Sequence, residues 1–239
     1  MLIIGKRNSG KSSLIRDFLY HLNMMKYPRV VVFSGTEESN QFFAKIIPKA
    51  YIHCGLNQEI LQGLVDAQRK VMTSVNEAKG KLGDCINVDT RLVIVFDDVS
   101  YSRAACRTEL MNMLFLNSRH FNISIMLSLQ YLVSLSPEGR ANADYVLVLK
   151  DSVPRSRIRT WECFGAMFQN KKDFFTVLDQ TTQNYEALVI NNVVASLQPE
   201  ECLSWYKADI KLPPFRFGSK AFWDNATCHT EVTTRTIKC

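Results

Sequence analysis

With 239 residues, 46% hydrophobic and 22% charged, the chain can bury one large core, and its composition excludes a disordered, fibrous or disulfide-stapled class. Lys and Arg number 29 against 23 Asp and Glu, and this net charge of +6 is spread along the chain, which permits a polyanionic partner without requiring one. No apolar run approaches the roughly 20 residues of a membrane span, so no transmembrane segment is expected, and with a Gly-rich motif beginning at Gly5 no removable signal peptide is expected either.

The first predicted element is a short strand, Leu2-Ile3-Ile4, running directly into Gly5-Lys6-Arg7-Asn8-Ser9-Gly10-Lys11-Ser12-Ser13. This is GxxxxGKS, the pattern of a P-loop. Its glycines let successive backbone N–H groups curl inward onto phosphate oxygens, and the helix that follows (Leu14, Ile15, Phe18, Leu19, Leu22) adds the partial positive charge of its N-terminus. Gly5 through Ser13 are therefore read as the nucleotide-binding segment, with Lys11 reaching the β- and γ-phosphates of ATP and Ser12 placing a hydroxyl on Mg²⁺.

A second strand is predicted over Val30–Phe33, a helix over Glu37–Ile47 stopped by Pro48, and a short strand over Ala50–Cys54. A long helix from Asn57 to about Ala78 follows, with Asn57 or its neighbour as the cap, and then a polar, Gly-containing loop from Lys79 to Thr90. Leu92–Phe96 is an unbroken apolar run, as expected for a parallel strand buried on both faces, and it ends in Asp97-Asp98. A helix around Ala104–Asn117, a strand Ile123–Leu129 ending at Gln130, and a strand Tyr145–Leu149 complete the regular pattern. Beyond Lys150 the pattern weakens to a helix over Asp173–Leu178 and a strand over Tyr185–Ile190. Short β-branched runs alternating with helical segments predict an α/β fold with a mostly parallel central sheet flanked by helices. The core is assigned to residues 1–195, and residues 196–239 to a C-terminal extension packed on it or meeting partners.

An aspartate at a strand exit near a P-loop holds Mg²⁺, and the next residue can polarise an attacking water; Asp97 and Asp98 suit those two roles. Many hydrolytic P-loop enzymes carry Asp-Glu here, so Asp98 is one methylene short. Gln130, at the exit of the following strand, is placed to sense the γ-phosphate. Parallel strands gather their carboxyl ends on one rim, so the loop, Asp97, Asp98, Gln130 and Arg119 are expected together there. Arg119 and Arg140 are both candidates for an arginine reaching across a subunit boundary to neutralise charge on the transferred phosphoryl. Arg103 and Arg107 read as surface or DNA-facing groups. Arg216, Lys220, Phe222 and Trp223 read as a tail packed on the domain. The seven cysteines, odd in number and without a CxxC pair, read as free thiols, and Cys228, His229 and Cys239 make a weak zinc set.

Taken in order, GKRNSGKSS after its strand, VVVFSGTEESNQFF with Pro48 beyond it, LVIVFDDV, NSRHFNISIMLSLQ and RANADYVLVL resemble the genome-packaging ATPases of large nucleocytoplasmic DNA viruses, relatives of the HerA and FtsK translocases. The resemblance covers Met1 to Lys150. It implies an additional-strand, RecA-like P-loop fold and a homo-oligomeric ring, hexamer or pentamer. It also implies ATP-driven, non-sequence-specific movement of double-stranded DNA into a capsid, with capsid or portal-type proteins as further partners. Host cytoplasm at virus assembly sites, or association with the virion, is the implied location. The same resemblance assigns Lys11 and Ser12 to phosphate and Mg²⁺, Asp97 to the metal, Asp98 to the catalytic carboxylate, Gln130 to the sensor and Arg119 to the finger. A translocating ring would grip phosphates through basic groups such as Lys79, Lys81, Arg91, Arg103 and Arg107.

Two other readings share the P-loop. A kinase of a nucleoside or small molecule would use Glu37-Glu38 near its acceptor, and an assembly scaffold that binds ATP with little turnover would suit the short Asp98.

Overall fold

In the computed structural model, residues 1–82, 88–99, 104–196 and 198–227 are described; Arg103, Cys85, Cys228, His229 and Cys239 lie outside them. In chain order the elements are β1 (Leu2–Ile4), α1 (Lys11–Met24), β2 (Arg29–Ser34), α2 (Glu37–Asn40), β3 (Ile52–Cys54), α3 (Gln58–Leu82), β4 (Leu92–Asp97) and α4 (Glu109–Asn117). Then come β5 (Ile123–Leu129), α5 (Pro137–Ala141), β6 (Tyr145–Val148), α6 (Pro154–Phe164), α7 (Lys171–Thr181), β7 (Glu186–Asn191), α8 (Pro199–Cys202) and β8 (Leu203–Lys207).

The strands form one eight-stranded sheet in the order β3-β2-β4-β5-β1-β6-β7-β8. β1 to β6 run parallel, and β7 and β8 add antiparallel pairings at one edge. β5 is inserted between the strand of the phosphate loop and the strand of the two aspartates, which is the additional-strand arrangement. Every residue of β4 is buried, Val93 and Val95 facing one side of the sheet and Leu92, Ile94 and Phe96 the other. A central parallel strand covered by helices on both faces has this signature.

Each face has its own helices. On one, Leu14, Ile15 and Leu19 of α1 pack on Ile3, Val30 and Val32 together with Phe43, Ile47, Phe217 and Phe222. On the other, Leu61 and Val65 of α3, Met111 and Leu114 of α4, and Phe174 and Leu178 of α7 cover Leu2, Ile4, Phe96 and Leu127. Burying one such side chain stabilises the fold by about 1.5–3 kcal/mol relative to leaving it in water.

Four local expectations change. The helix predicted over Glu37–Ile47 is broken: α2 ends at Gln41, whose φ of 45° is left-handed, and a 3₁₀ turn covers Phe43–Lys45. The Glu37 carboxylate causes this by accepting from the N–H groups of Phe43 (3.0 Å) and Ala44 (2.8 Å), giving that turn a cap from outside the helix. α3 runs further than predicted, through Gly80 to Leu82, so Lys79 and Lys81 sit on its last turn rather than in a loop. Its start matches, with Asn57 Oδ1 accepting from Glu59 and Ile60 N–H. The segment Ala104–Asn117 splits at Thr108, which caps α4 through Met111 N–H. Finally, α6, α8 and β8 have no counterpart in the predicted pattern.

β8 extends the sheet at Leu203–Lys207, and the chain beyond it returns to the core. Phe217 is fully buried, Phe222 stacks on Tyr51 at 4.3 Å, and the Arg216 guanidinium lies 4.0 Å over Trp223. The described cysteines Cys54, Cys106, Cys163 and Cys202 are free thiols. Among the described residues, no helix is long and apolar enough to cross a membrane.

Candidate nucleotide site

The phosphate loop leaves the sheet at a fixed point. Ile4 lies in register between Leu129 and Val148; Gly5 N–H donates to Leu129 O at 3.0 Å and Leu149 N–H to Ile4 O at 2.8 Å. The two glycines are needed for different reasons. A Cβ on Gly5 would fall 2.4 Å from Ser9 Oγ and 3.0 Å from Leu149, whereas Gly10 has a φ of 103°, which L side chains rarely adopt. Asn8 is also left-handed (φ 61°), as its residue type tolerates. Ser9 Oγ donates to Lys6 O at 2.7 Å and tightens the turn, while Lys6 Nζ reaches Ser152 Oγ (2.8 Å) and Asp151 (3.3 Å) beyond β6. Arg7 and Ser13 line the mouth of the loop. α1 begins with no acidic residue in its first turn and no side-chain cap, so its leading N–H groups and dipole are available to an anion.

From α1 a continuous set of polar contacts crosses to the strand exits. Ser12 Oγ donates to Asp97 Oδ2 at 3.0 Å, and Ser128 Oγ donates to Asp97 Oδ1 at 2.6 Å. The same Ser128 oxygen accepts from Asp98 N–H at 3.0 Å, and Gln130 Nε2 donates to Asp98 Oδ1 at 3.2 Å. Lys11 Nζ, 4% exposed, donates to Lys6 O at 2.9 Å and stands 3.5 Å from Asp98 Oδ1. Asp98 has a left-handed backbone (φ 51°), and this turn carries its short side chain toward both β5 and the phosphate loop.

Burial pushes the Asp97 carboxyl above its ordinary range, with neighbouring Asp98 acting in the same direction; the Ser128 and Ser12 hydroxyls and Lys11 oppose the shift. Two adjacent carboxylates, one of them buried, against the single Lys11 ammonium make a site whose chemistry favours a cation. The Ser12 hydroxyl and Asp97 carboxylate supply the hard oxygen donors that Mg²⁺ takes while keeping waters and substrate phosphates, so these residues fit the metal.

Lys11, Ser12, Asp97, Asp98 and Gln130 therefore meet on the carboxyl rim. Arg119 does not join them, contrary to expectation. It lies in the 3₁₀ turn Ser118–Phe121, before β5, and pairs with Asp144 before β6. The seven residues of β5, at about 3.3 Å each, put about 20 Å between it and Gln130. Arg140 is also elsewhere engaged, donating to Leu132 O (3.1 Å) and Leu135 O (2.9 Å) and so pinning the turn before α5. Arg91 is held by Asp89, by the carbonyls of Met25 and Lys26, and over the Tyr27 ring at 4.2 Å; Arg107 donates to Val133 O.

Sequence reasoning missed Ser128, the hydroxyl that joins both aspartates; its one trace is a small polar residue two positions before Gln130 in an apolar strand. It also missed the far wall of the site. A pocket of about 620 Å³ surrounds the start of α1 and is closed by Thr36, Ser39 and Asn40 on one side and by Asn184, Tyr185, Lys207 and Ile210 on the other. A somewhat larger cavity, about 710 Å³, opens on the opposite rim near Arg119 and Asp144, away from the phosphate loop, and the chemistry described above lies in the smaller one.

The family described as Poxvirus A32 protein matches residues 1–210. An uncharacterized protein of Acanthamoeba polyphaga mimivirus is 27% identical over 225 residues, covering 94% of this chain and 77% of its own. One from Frog virus 3 (isolate Goorha) is 29% identical over 231 residues, covering 96% and 68%. Among solved structures, the genome packaging NTPase B204 from Sulfolobus turreted icosahedral virus 2, in complex with AMPPCP, superposes with a TM-score of 0.56 at 18% identity, covering 87% of this chain and 96% of that one. EssC (ATPases 2 and 3) from Geobacillus thermodenitrificans gives 0.54 at 12% identity, covering 99% and 44%. At these identities the structural likeness concerns the fold.

Proposed function

The chain belongs to the Poxvirus A32 protein family, and on that premise we propose that it is an ATP-hydrolysing motor that moves double-stranded viral DNA into the capsid. The observation that carries this reading is the run of contacts Ser12–Asp97–Ser128–Asp98–Gln130 laid against the P-loop lysine. It sets a hydroxyl and a carboxylate for metal, and a second carboxylate for water, on one rim. One protein of similar fold supports it further, since B204 is described as a genome packaging NTPase and was solved with AMPPCP and with ATP-gammaS.

The residues divide the work as follows. Gly5 to Ser13 and the start of α1 bind the phosphates, and Lys11 leaves Lys6 O and Asp98 to neutralise the β- and γ-phosphates. Ser12 and Asp97 would hold Mg²⁺, which when bound would supply positive charge to screen the phosphates. Asp98, once Lys11 has moved toward phosphate, is free to accept a hydrogen bond from the attacking water. Gln130 holds Asp98 in place and stands where it can register the γ-phosphate.

A neighbouring subunit supplies the arginine in this account. Arg119 has its side chain 70% exposed and on the rim opposite its own P-loop, so a ring packed head to tail can present it to the next site; Arg140 remains the alternative. The ATPase core does not end at residue 195 as expected: β8 extends its sheet and Phe217 and Phe222 pack into it, so the later residues are part of the same unit. The ring works at assembly sites in the host cytoplasm or with the virion, and docks on capsid or portal-type proteins.

The test is product analysis with radiolabelled ATP in the presence of Mg²⁺, with and without a panel of nucleosides. Free phosphate formed at the same rate in every arm is the expected result. Transfer of the label to a nucleoside would replace the motor by a kinase, and binding without turnover in the assembled protein would replace it by a scaffold.

A further inference from the structure

The pocket around the start of α1 is asymmetric. Its wall on the β2 side is polar, made of Thr36, Ser39 and Asn40, and lies beside the carboxylates. Its wall on the β7–β8 side carries Tyr185 and Ile210, which are 70% and 74% exposed. Lys11, Asp98 and Gln130 fix the end of the site where the γ-phosphate must point, toward β4 and β5. In the sheet order β7 and β8 lie on the far side of β1 from those strands, so the nucleoside end of a bound nucleotide leaves the loop toward Tyr185.

Tyr185 is also held in an uncommon way. It and Asn184 are consecutive left-handed residues, φ 64° and 50°, in a turn closed by Glu186 N–H donating to Gln183 O at 2.9 Å. An aromatic residue with positive φ is a genuine outlier, and such backbone persists where the surroundings hold it for a purpose. Here it lays the ring against the phosphate loop: a Cβ on Gly10 would stand 3.5 Å from Tyr185 Cδ1. An exposed aromatic face beside a phosphate cradle is a surface on which a heterocyclic base stacks.

We propose that Tyr185 is the stacking platform for the base of the bound nucleotide, with Ile210 extending the same wall as an apolar surface, so that the β7–β8 edge of the sheet generates the preference for ATP over its phosphates alone. This rests on the reading of Gly5–Ser13 as an ATP site. Titration calorimetry of the full chain with Mg²⁺–ATP and with Mg²⁺–tripolyphosphate separates the two ideas. The unaltered protein binds ATP at least about 10-fold more tightly than tripolyphosphate, and Tyr185→Ala loses that margin while its tripolyphosphate affinity stays within about 2-fold. Tyr185→Phe and Tyr185→Trp keep the margin, and their retention shows that an aromatic face rather than the hydroxyl is needed. Tyr185→Ala with unchanged ATP affinity, or with ATP and tripolyphosphate weakened alike, overturns the stacking role. Unaltered protein that binds neither compound, or binds both just as well in Lys11→Ala, overturns the ATP site itself.

Discussion

The two rims of the sheet use charge in opposite ways. On the amino rim, Arg119 pairs with Asp144, Arg91 with Asp89, and the half-buried Arg29 donates to Gln68 Oε1 and Thr90 O, so each of these three cations has its anion or carbonyl in place. On the carboxyl rim, Lys11 and Asp97 are nearly or wholly out of water, and two carboxylates adjoin one lysine. Exposed pairs of the first kind are worth little and serve to finish the fold. The second arrangement costs stability until a cation and an anion arrive together, which is what a nucleotide site with a metal requires. Residue type alone does not distinguish the rims; burial and the balance of charge do.

The contrast can be broken most severely at Lys11. Lys11→Ala removes the one cation in contact with Asp98 among the described residues, and turnover falls by at least about 100-fold in a steady-state phosphate-release assay. Asp98→Asn comes next: hydrolysis falls by about 10²–10⁴-fold while ATP binding persists, as expected if the carboxylate acts on water rather than on phosphate. Little loss in that variant would leave the carboxyl rim without its base.

Ser128→Ala removes one hydroxyl that donates to Asp97 and accepts from Asp98, so it destabilises the protein by about 1–3 kcal/mol in denaturant unfolding and lowers turnover as Asp98 loses its anchor. On the opposite rim, Arg119→Ala changes unfolding stability by less than about 1 kcal/mol, because its pair with Asp144 is solvent-exposed. If the two variants had equal effects on stability, the distinction between the rims would fail.

The mildest effect is one of pH. The Asp97 carboxyl is raised in the folded state, so the folded protein holds a proton that the unfolded chain releases. Its contribution to stability is fully present below the ordinary carboxylate value of 3.8 and is lost as pH rises through the raised folded value. Metal-free protein therefore loses stability with rising pH across that window, and Asp97→Asn does not. Protonation also competes with Mg²⁺, so metal affinity read by calorimetry weakens toward the acid side of the window.

Much of the carboxyl rim was legible because strand exits and the P-loop have local signatures: a GxxxxGKS after Leu2–Ile4, two acids after five apolar residues, a polar residue after Leu129. Parallel pairing then placed them together without any further information. Arg119 was misplaced because a position just before a strand falls on the amino rim, while the eye groups it with the Gln130 that ends the same strand. Ser128 left almost no trace, since its role depends on register against Asp97. Tyr185 and Ile210 were invisible as a site because they arrive through antiparallel strands added at the sheet edge, one of which, β8, was not predicted at all. The break after Gln41 had the same origin, a side chain acting at a distance that helical periodicity does not encode.

On the function proposed above, the site on the carboxyl rim is completed by a neighbouring copy and works on DNA. This is tested most directly by the ATPase rate per chain as a function of protein concentration, with and without double-stranded DNA. The rate per chain is expected to rise with concentration and to rise again when DNA is added at low salt. A rate per chain that is constant over the whole range and indifferent to DNA would contradict it.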